Sequence, residues 1–268
     1  MRSRRFEAVL ILTALLLALP ALAGETEGGI PWTAKIKGAL AESASSGKPV
    51  FIDVWANWCV PCKHMDDTTY VDPAVVAAMK EFVPLKVDQD SSEIFCENHN
   101  VDGLPLVLYL DGGGREIGRR MGLQESDSLL ESMQIVKEGY PSYLEAIDRA
   151  KEPEAAQALA SYLVSAGNPS GAVELLRRAL KAAKGSEQAE TLALRIAQAQ
   201  LEDGEIKSAC VGFKKLADGA KGQEVRGEAL VGLEQAHRER GRTEEAEQTM
   251  ERLRNEFPEL AAEIESDG

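Results

Sequence analysis

The 268-residue sequence predicts an α/β sandwich, a central sheet covered on both faces by helices, followed by an all-α array of helical hairpins. Three observations carry this. Residues 30–136 alternate short β-branched runs with helical patterns. Residues 141–265 contain no convincing strand and are rich in Ala, Leu, Glu, Arg and Lys. That second half also repeats itself at a fixed period.

In the first half, Val50 to Trp55, Val83 to Val87, Leu106 to Leu110 and Glu116 to Met121 read as strands, each bounded by Gly, Pro or Asp. Helical patterns occupy 33–46, 60–80, 91–99 and 126–138. The runs at 50–55 and 106–110 are apolar almost throughout, as expected of central strands covered on both faces. Gly112, Gly113 and Gly114 lie between two strands and read as a turn, with no helix start to cradle a phosphate. The change in composition places a junction near Gly139-Tyr140-Pro141, giving units of 30–138 and 141–265.

The repeat is visible in three segments, 165–179, 202–216 and 239–253. Gly167, Gly204 and Gly241 lie 37 residues apart, as do Ala172, Ala209 and Ala246. The Gly ends one helix where the chain turns, and the Ala lets the next helix pack closely. Over residues 153–257 this pattern resembles tetratricopeptide repeats. The resemblance implies a surface for a protein or peptide partner. Helices that merely pack on the first unit, or that pair two chains, are the alternative.

Arg2, Arg4 and Arg5 precede an apolar run from Ala8 to Leu19, then Pro20 and the small-residue ending Ala21-Leu22-Ala23. This is the order of a secretory signal peptide over residues 1–23, cleaved after about Ala23, and it predicts an exported, periplasmic protein. The run is short for a membrane span, so an uncleaved anchor is the weaker reading. The formal net charge is −14, and loss of three arginines and Glu7 with the signal makes it two units more negative. Such acidity argues against nucleic acid or an anionic membrane as partner.

Cys59-Val60-Pro61-Cys62 carries the chemistry. A C-x-x-C is ambiguous between a redox pair and half of a metal site, and its surroundings favour redox. A strand ends near Trp55 and a helix follows the pair, which puts Cys59 at a helix N-terminus, where unpaired N–H groups and the helix dipole favour a thiolate. Pro61 fits the first turn, where its missing N–H costs little. Cys59, expected to be the more exposed sulfur, is the nucleophile, and Cys62, shielded one turn further in, is the resolving thiol.

The stretch from Asp53 to Lys63 (DVWANWCVPCK) resembles the active-site segment of the thioredoxin family, and Gly103-Leu104-Pro105 before an apolar strand resembles the family's second landmark. The likeness extends to Ser46-Gly47-Lys48-Pro49-Val50 and Gly122, and covers about residues 30–136. WCVPCK and the Thr68-Thr69-Tyr70-Val71-Asp72-Pro73 run are most similar to the C-terminal thioredoxin-like domain of DsbD-type periplasmic thiol transporters. The resemblance implies the thioredoxin fold, a redox-active Cys59–Cys62 disulfide, and a cis Pro105 against the cysteines. Leu104 would then offer backbone to an extended substrate beside Trp58 and Pro61. It also implies that Asp53 is the buried acid relaying the resolving thiol's proton, a role that burial makes sensible by raising its pKa. The lysine often found opposite that acid is not securely matched, since ungapped alignment on Asp88 puts Pro84 there with Lys86 two residues away, which leaves a contribution from Lys86 in doubt.

Cys59, Cys62, Cys96 and His99 together could supply a zinc set, but the gap between the pairs is long and Asp53 and Pro105 would have no role. No metal is therefore expected. Cys96 and Cys210 read as small buried apolar residues, with a disulfide joining the two halves as an alternative. His64 reads as solvent-exposed, and Trp55 as either core or an apolar contact beside the sulfurs. The expected function is thiol:disulfide exchange with exported proteins, more in the reducing direction, with electrons from a DsbD-type membrane donor and a partner held by the repeats. No small-molecule cofactor is needed, because the cysteine pair carries both electrons. An adaptor or holdase using the thioredoxin fold as a docking module is the alternative.

Overall fold

The computed structural model describes residues 29–186 and 188–267. The proposed signal segment lies outside them. The first unit runs α1 (Ile36–Ser46), β1 (Val50–Trp55), α2 (Val60–Asp67), α3 (Pro73–Met79), β2 (Val83–Asp88), α4 (Glu93–Asn98), β3 (Leu106–Leu110), β4 (Glu116–Met121) and α5 (Ser126–Ala146). The four strands lie in the order β2-β1-β3-β4. β1 and β2 are parallel, and the other two pairings are antiparallel. Every residue of β3, and every residue of β1 except Trp55, is buried. These are the two strands whose unbroken apolar runs call for cover on both faces.

Two expectations need correcting. The helical pattern at 60–80 is two helices, α2 and α3, because Asp72-Pro73 restarts the chain. The Asp72 carboxylate accepts the Ala74 N–H at 2.8 Å, Pro73 takes the first turn, and a residue before proline is driven out of the helical region. The junction expected at Gly139-Tyr140-Pro141 lies inside α5, which continues to Ala146. Gly139 serves packing there, since a Cβ would come within 2.3 Å of the Tyr162 ring. Pro141 forfeits only the bond to the carbonyl of exposed Lys137.

The second unit is helical: α6 (Pro153–Ser165), α7 (Pro169–Ala182), α8 (Gln188–Glu202), α9 (Ile206–Gly219), α10 (Gln223–Glu239), α11 (Thr243–Glu256) and α12 (Pro258–Asp267). The repeated glycines sit at the α6–α7, α8–α9 and α10–α11 turns with φ of 88°, 74° and 67°, a conformation that glycine adopts without a Cβ penalty. Ala172, Ala209 and Ala246 are buried one turn later.

The sheet and the first helical hairpin share one core. Phe51, Tyr109 and Ile117 of the sheet, Leu129 and Val136 of α5, and Leu159, Leu163 and Leu176 of the first hairpin form a single apolar cluster. The α6–α7 turn also covers the sheet's open edge. Ala166 carbonyl accepts the Arg119 N–H at 3.2 Å and the Arg120 guanidinium at 2.7 Å, and the Asn168 side chain donates to the Glu116 carbonyl at 2.9 Å. β4 is thereby protected from pairing with another chain. Among the described residues no helix is long and apolar enough to cross a membrane.

Candidate active site at the Cys59–Cys62 disulfide

Cys59 and Cys62 are joined by a disulfide, with their Cα atoms 5.3 Å apart. Cys59 is the N-cap of α2, and its sulfur accepts the Cys62 backbone N–H at 3.2 Å. A hydrogen bond of this kind stabilises negative charge on the Cys59 sulfur once the bond is reduced. The expected difference in exposure is absent, however. Cys59 is 3% and Cys62 2% exposed, because Trp55, Ala56 and Leu104 pack against both. Position on the helix and the hydrogen bond, not exposure, distinguish the two sulfurs.

Of the residues expected around the pair, Leu104 packs with it, together with Trp55. The Leu104–Pro105 peptide is cis, Leu104 packs on the cysteines, and the Pro105 carbonyl accepts the Gly122 N–H at 2.9 Å. Pro61 lies in the first turn of α2. Trp58 is 64% exposed, and its indole N–H donates to the Asp90 carboxylate at 3.2 Å. Trp55, on the border between core and site, has the Lys86 ammonium 5.2 Å from its ring centre.

Asp53 is 2% exposed on β1. Burial pushes its carboxyl up from the ordinary 3.8 to about 6, with the Lys86 cation and the Tyr70 hydrogen bond opposing and the Asp66 charge adding to the rise. Lys86 lies directly across from Asp53 in the β1–β2 register, with its ammonium 3.4 Å from Oδ2. Lys86, left in doubt by the sequence alignment, is thus the lysine opposite the acid. Lys86 also pairs with Asp66 on α2, and the Tyr70 hydroxyl donates to Asp53 Oδ1 at 3.1 Å. A carboxyl with its pKa raised to about 6 is suited to taking up and returning a proton.

Cys96 and Cys210 are buried in different apolar clusters and are unpaired. His64 is half-exposed on α2, 4.0 Å from Glu125.

Residues 31–112 match the thioredoxin-like family model, and residues 229–259 a tetratricopeptide repeat model. The thiol:disulfide interchange protein DsbD of Actinobacillus pleuropneumoniae serotype 5b is 36% identical over 94 residues, covering 33% of this chain and 16% of that protein. DsbD of Escherichia coli K12 is 40% identical over 82 residues, covering 29% of this chain and 14% of that protein. The chain thus spans less than a fifth of the length of these relatives. The oxidised C-terminal domain of Neisseria meningitidis DsbD superimposes with a TM-score of 0.35 and 23% identity, over 38% of this chain and 97% of that one. With the disulfide at a helix N-terminus, these matches make the first unit a thioredoxin-like domain, similar over residues 31–112 to part of DsbD, followed by helical hairpins that include a tetratricopeptide-repeat match.

Proposed function

We propose that the protein is a periplasmic thiol:disulfide oxidoreductase that exchanges disulfides with exported proteins, working mainly in the reducing direction. The observation that carries this reading is the Cys59–Cys62 disulfide at the start of α2, with Leu104 of the cis Leu104–Pro105 peptide packed on the cysteines. The reduced pair would act in two steps. Cys59 thiolate attacks a substrate disulfide, forming a mixed disulfide and expelling a substrate thiolate. Cys62, its proton passed to Asp53, then attacks the Cys59 sulfur. The second substrate sulfur leaves as thiolate, and two electrons have moved from the protein to the substrate.

Trp58, Pro61, Leu104 and Pro105 are the substrate contacts in this reading, and the helical hairpins hold a partner near the cysteines, raising its local concentration. A DsbD-type membrane protein would restore the dithiol. The signal segment over residues 1–23 supports export. Replacing Cys62 by Ser should trap the mixed disulfide on Cys59, visible as covalent adducts with exported proteins that dithiothreitol dissolves. A Cys59→Ser protein forming the same adducts contradicts the assignment. A Cys59→Ser/Cys62→Ser protein that keeps its full biological effect would favour the adaptor instead.

A further inference from the structure

Three segments frame the disulfide, and their charges are one-sided. Residues 88–102 carry Asp88, Asp90, Glu93, Glu97 and Asp102 with no lysine or arginine. This segment is tied to the site at both ends, by the Trp58–Asp90 hydrogen bond and by Asp102, which precedes the Gly103–Pro105 turn that puts Leu104 on the cysteines. Residues 121–127 carry Glu125 and Asp127, again without a cation. They reach the site through the Gly122–Pro105 hydrogen bond and the approach of Glu125 to His64. In residues 56–63 the only cation is Lys63.

Among the described residues, Asp90, Glu93, Glu97 and Asp102 take part in no salt bridge. The same segments carry exposed apolar side chains: Trp58, Val60, Ile94, Met121 and Leu123.

We infer that this rim selects its substrate, favouring a cysteine segment in which lysine or arginine stands beside apolar residues. The inference rests on the exchange reading above and adds the substrate class to it. Carboxylates that outnumber cations along segments carrying exposed apolar side chains raise the local concentration of cationic segments, chiefly by speeding encounter, and salt weakens the effect. Trp58, Val60 and Leu123 supply the apolar contact once the segment has arrived.

The test uses the reduced protein and two synthetic peptides of equal length, each with one internal disulfide, one flanked by lysines and the other by glutamates. Each reduction rate is divided by the rate with dithiothreitol, a small reductant without a binding surface, which corrects for the peptides' own reactivity toward a thiolate. The lysine peptide should be reduced at least about tenfold faster at low ionic strength, with the ratio falling toward one near ~1 M salt. The ratio should also shrink several-fold in a Glu93→Gln/Asp102→Asn/Glu125→Gln protein. Because it is a ratio within one protein sample, a loss of folded material does not alter it. Equal normalised rates, or a ratio indifferent to salt and to the triple substitution, overturn the inference while leaving exchange standing. Reduction of neither peptide overturns the exchange reading and this inference with it.

Discussion

Lys86 faces Asp53 across the parallel β1–β2 pair, and its ammonium lies 3.4 Å from the Asp53 carboxylate. The lysine also binds Asp66 and lies over the rings of Trp32, Trp55 and Tyr70. A buried carboxylate therefore has one cation opposing the cost of its burial. Replacing Lys86 by Met leaves desolvation and the Asp66 charge unopposed, so the Asp53 pKa rises further. The pH midpoint of peptide-disulfide reduction should move up by about one unit, lowering the rate at pH 7. An unchanged pH–rate profile would remove Lys86 from the proton path.

The Tyr70 hydroxyl, buried and donating to Asp53 Oδ1, gives a second and smaller handle. Burial and the neighbouring carboxylate push the tyrosine's own pKa well above its ordinary range, so it serves as a donor only. Tyr70→Phe keeps the ring packed on Trp32 and Phe51 and removes only the bond. It should lower stability by about 1–2 kcal/mol in urea denaturation and move the pH midpoint in the same direction as Lys86→Met. Combined, the two substitutions should be non-additive, because both act on one carboxylate.

Asp53 itself makes a prediction whose sign is fixed by the direction of its shift. Its pKa is about 6 in the folded protein, against an ordinary 3.8. Between these values the folded state binds more protons than the unfolded state, so stability falls as pH rises through the window and levels off above it. Asp53→Asn removes that fall. The variant should gain up to about 3 kcal/mol relative to its parent at pH 7, and nothing from this source near pH 3.5, while exchange slows. Parallel stability curves for the two proteins would contradict the raised pKa.

The hairpin glycines separate backbone strain from docking. Gly204 and Gly241 have positive φ, and a Cβ on either would meet nothing within 4 Å. Gly167 has positive φ as well, but its Cβ would lie 2.0 Å from Arg120 Nη1 and 2.5 Å from the Arg119 carbonyl. Gly204→Ala and Gly241→Ala should each cost about 1–2 kcal/mol. Gly167→Ala should cost clearly more, because it also displaces the α6–α7 turn from β4. Equal thermal shifts for the three would mean that the turn's seat on the sheet adds little.

Much of this was legible in the chain. The four strands are bounded by Gly, Pro and Asp, and their β-branched runs place them to within a residue. The 37-residue spacing of Gly167, Gly204 and Gly241 marks the hairpin turns, because a helix end of this kind needs a residue without a Cβ penalty. Gly139 misled because the same residue type also serves close packing, here against Tyr162, and composition does not distinguish the two uses. Lys86 was left in doubt for a geometric reason. Alignment along the chain counts positions, whereas the contact is set by register between strands. The information was nevertheless present, since Asp53 is the fourth residue of β1 and Lys86 the fourth of β2. Tyr70 carried no such signal, since its approach to Asp53 depends on how the segment between α2 and α3 folds back over the sheet.

The most direct test of the central claim is a redox titration of the purified protein in glutathione or dithiothreitol buffers, with the Cys59–Cys62 state read by thiol alkylation and mass. The account predicts a reversible two-electron couple that vanishes in Cys59→Ser, with a potential near the roughly −270 mV of thioredoxin and so favouring reduction of substrates. A potential near the roughly −120 mV of a strong periplasmic oxidant would reverse the direction. A disulfide that shows no reversible couple at all would contradict the account.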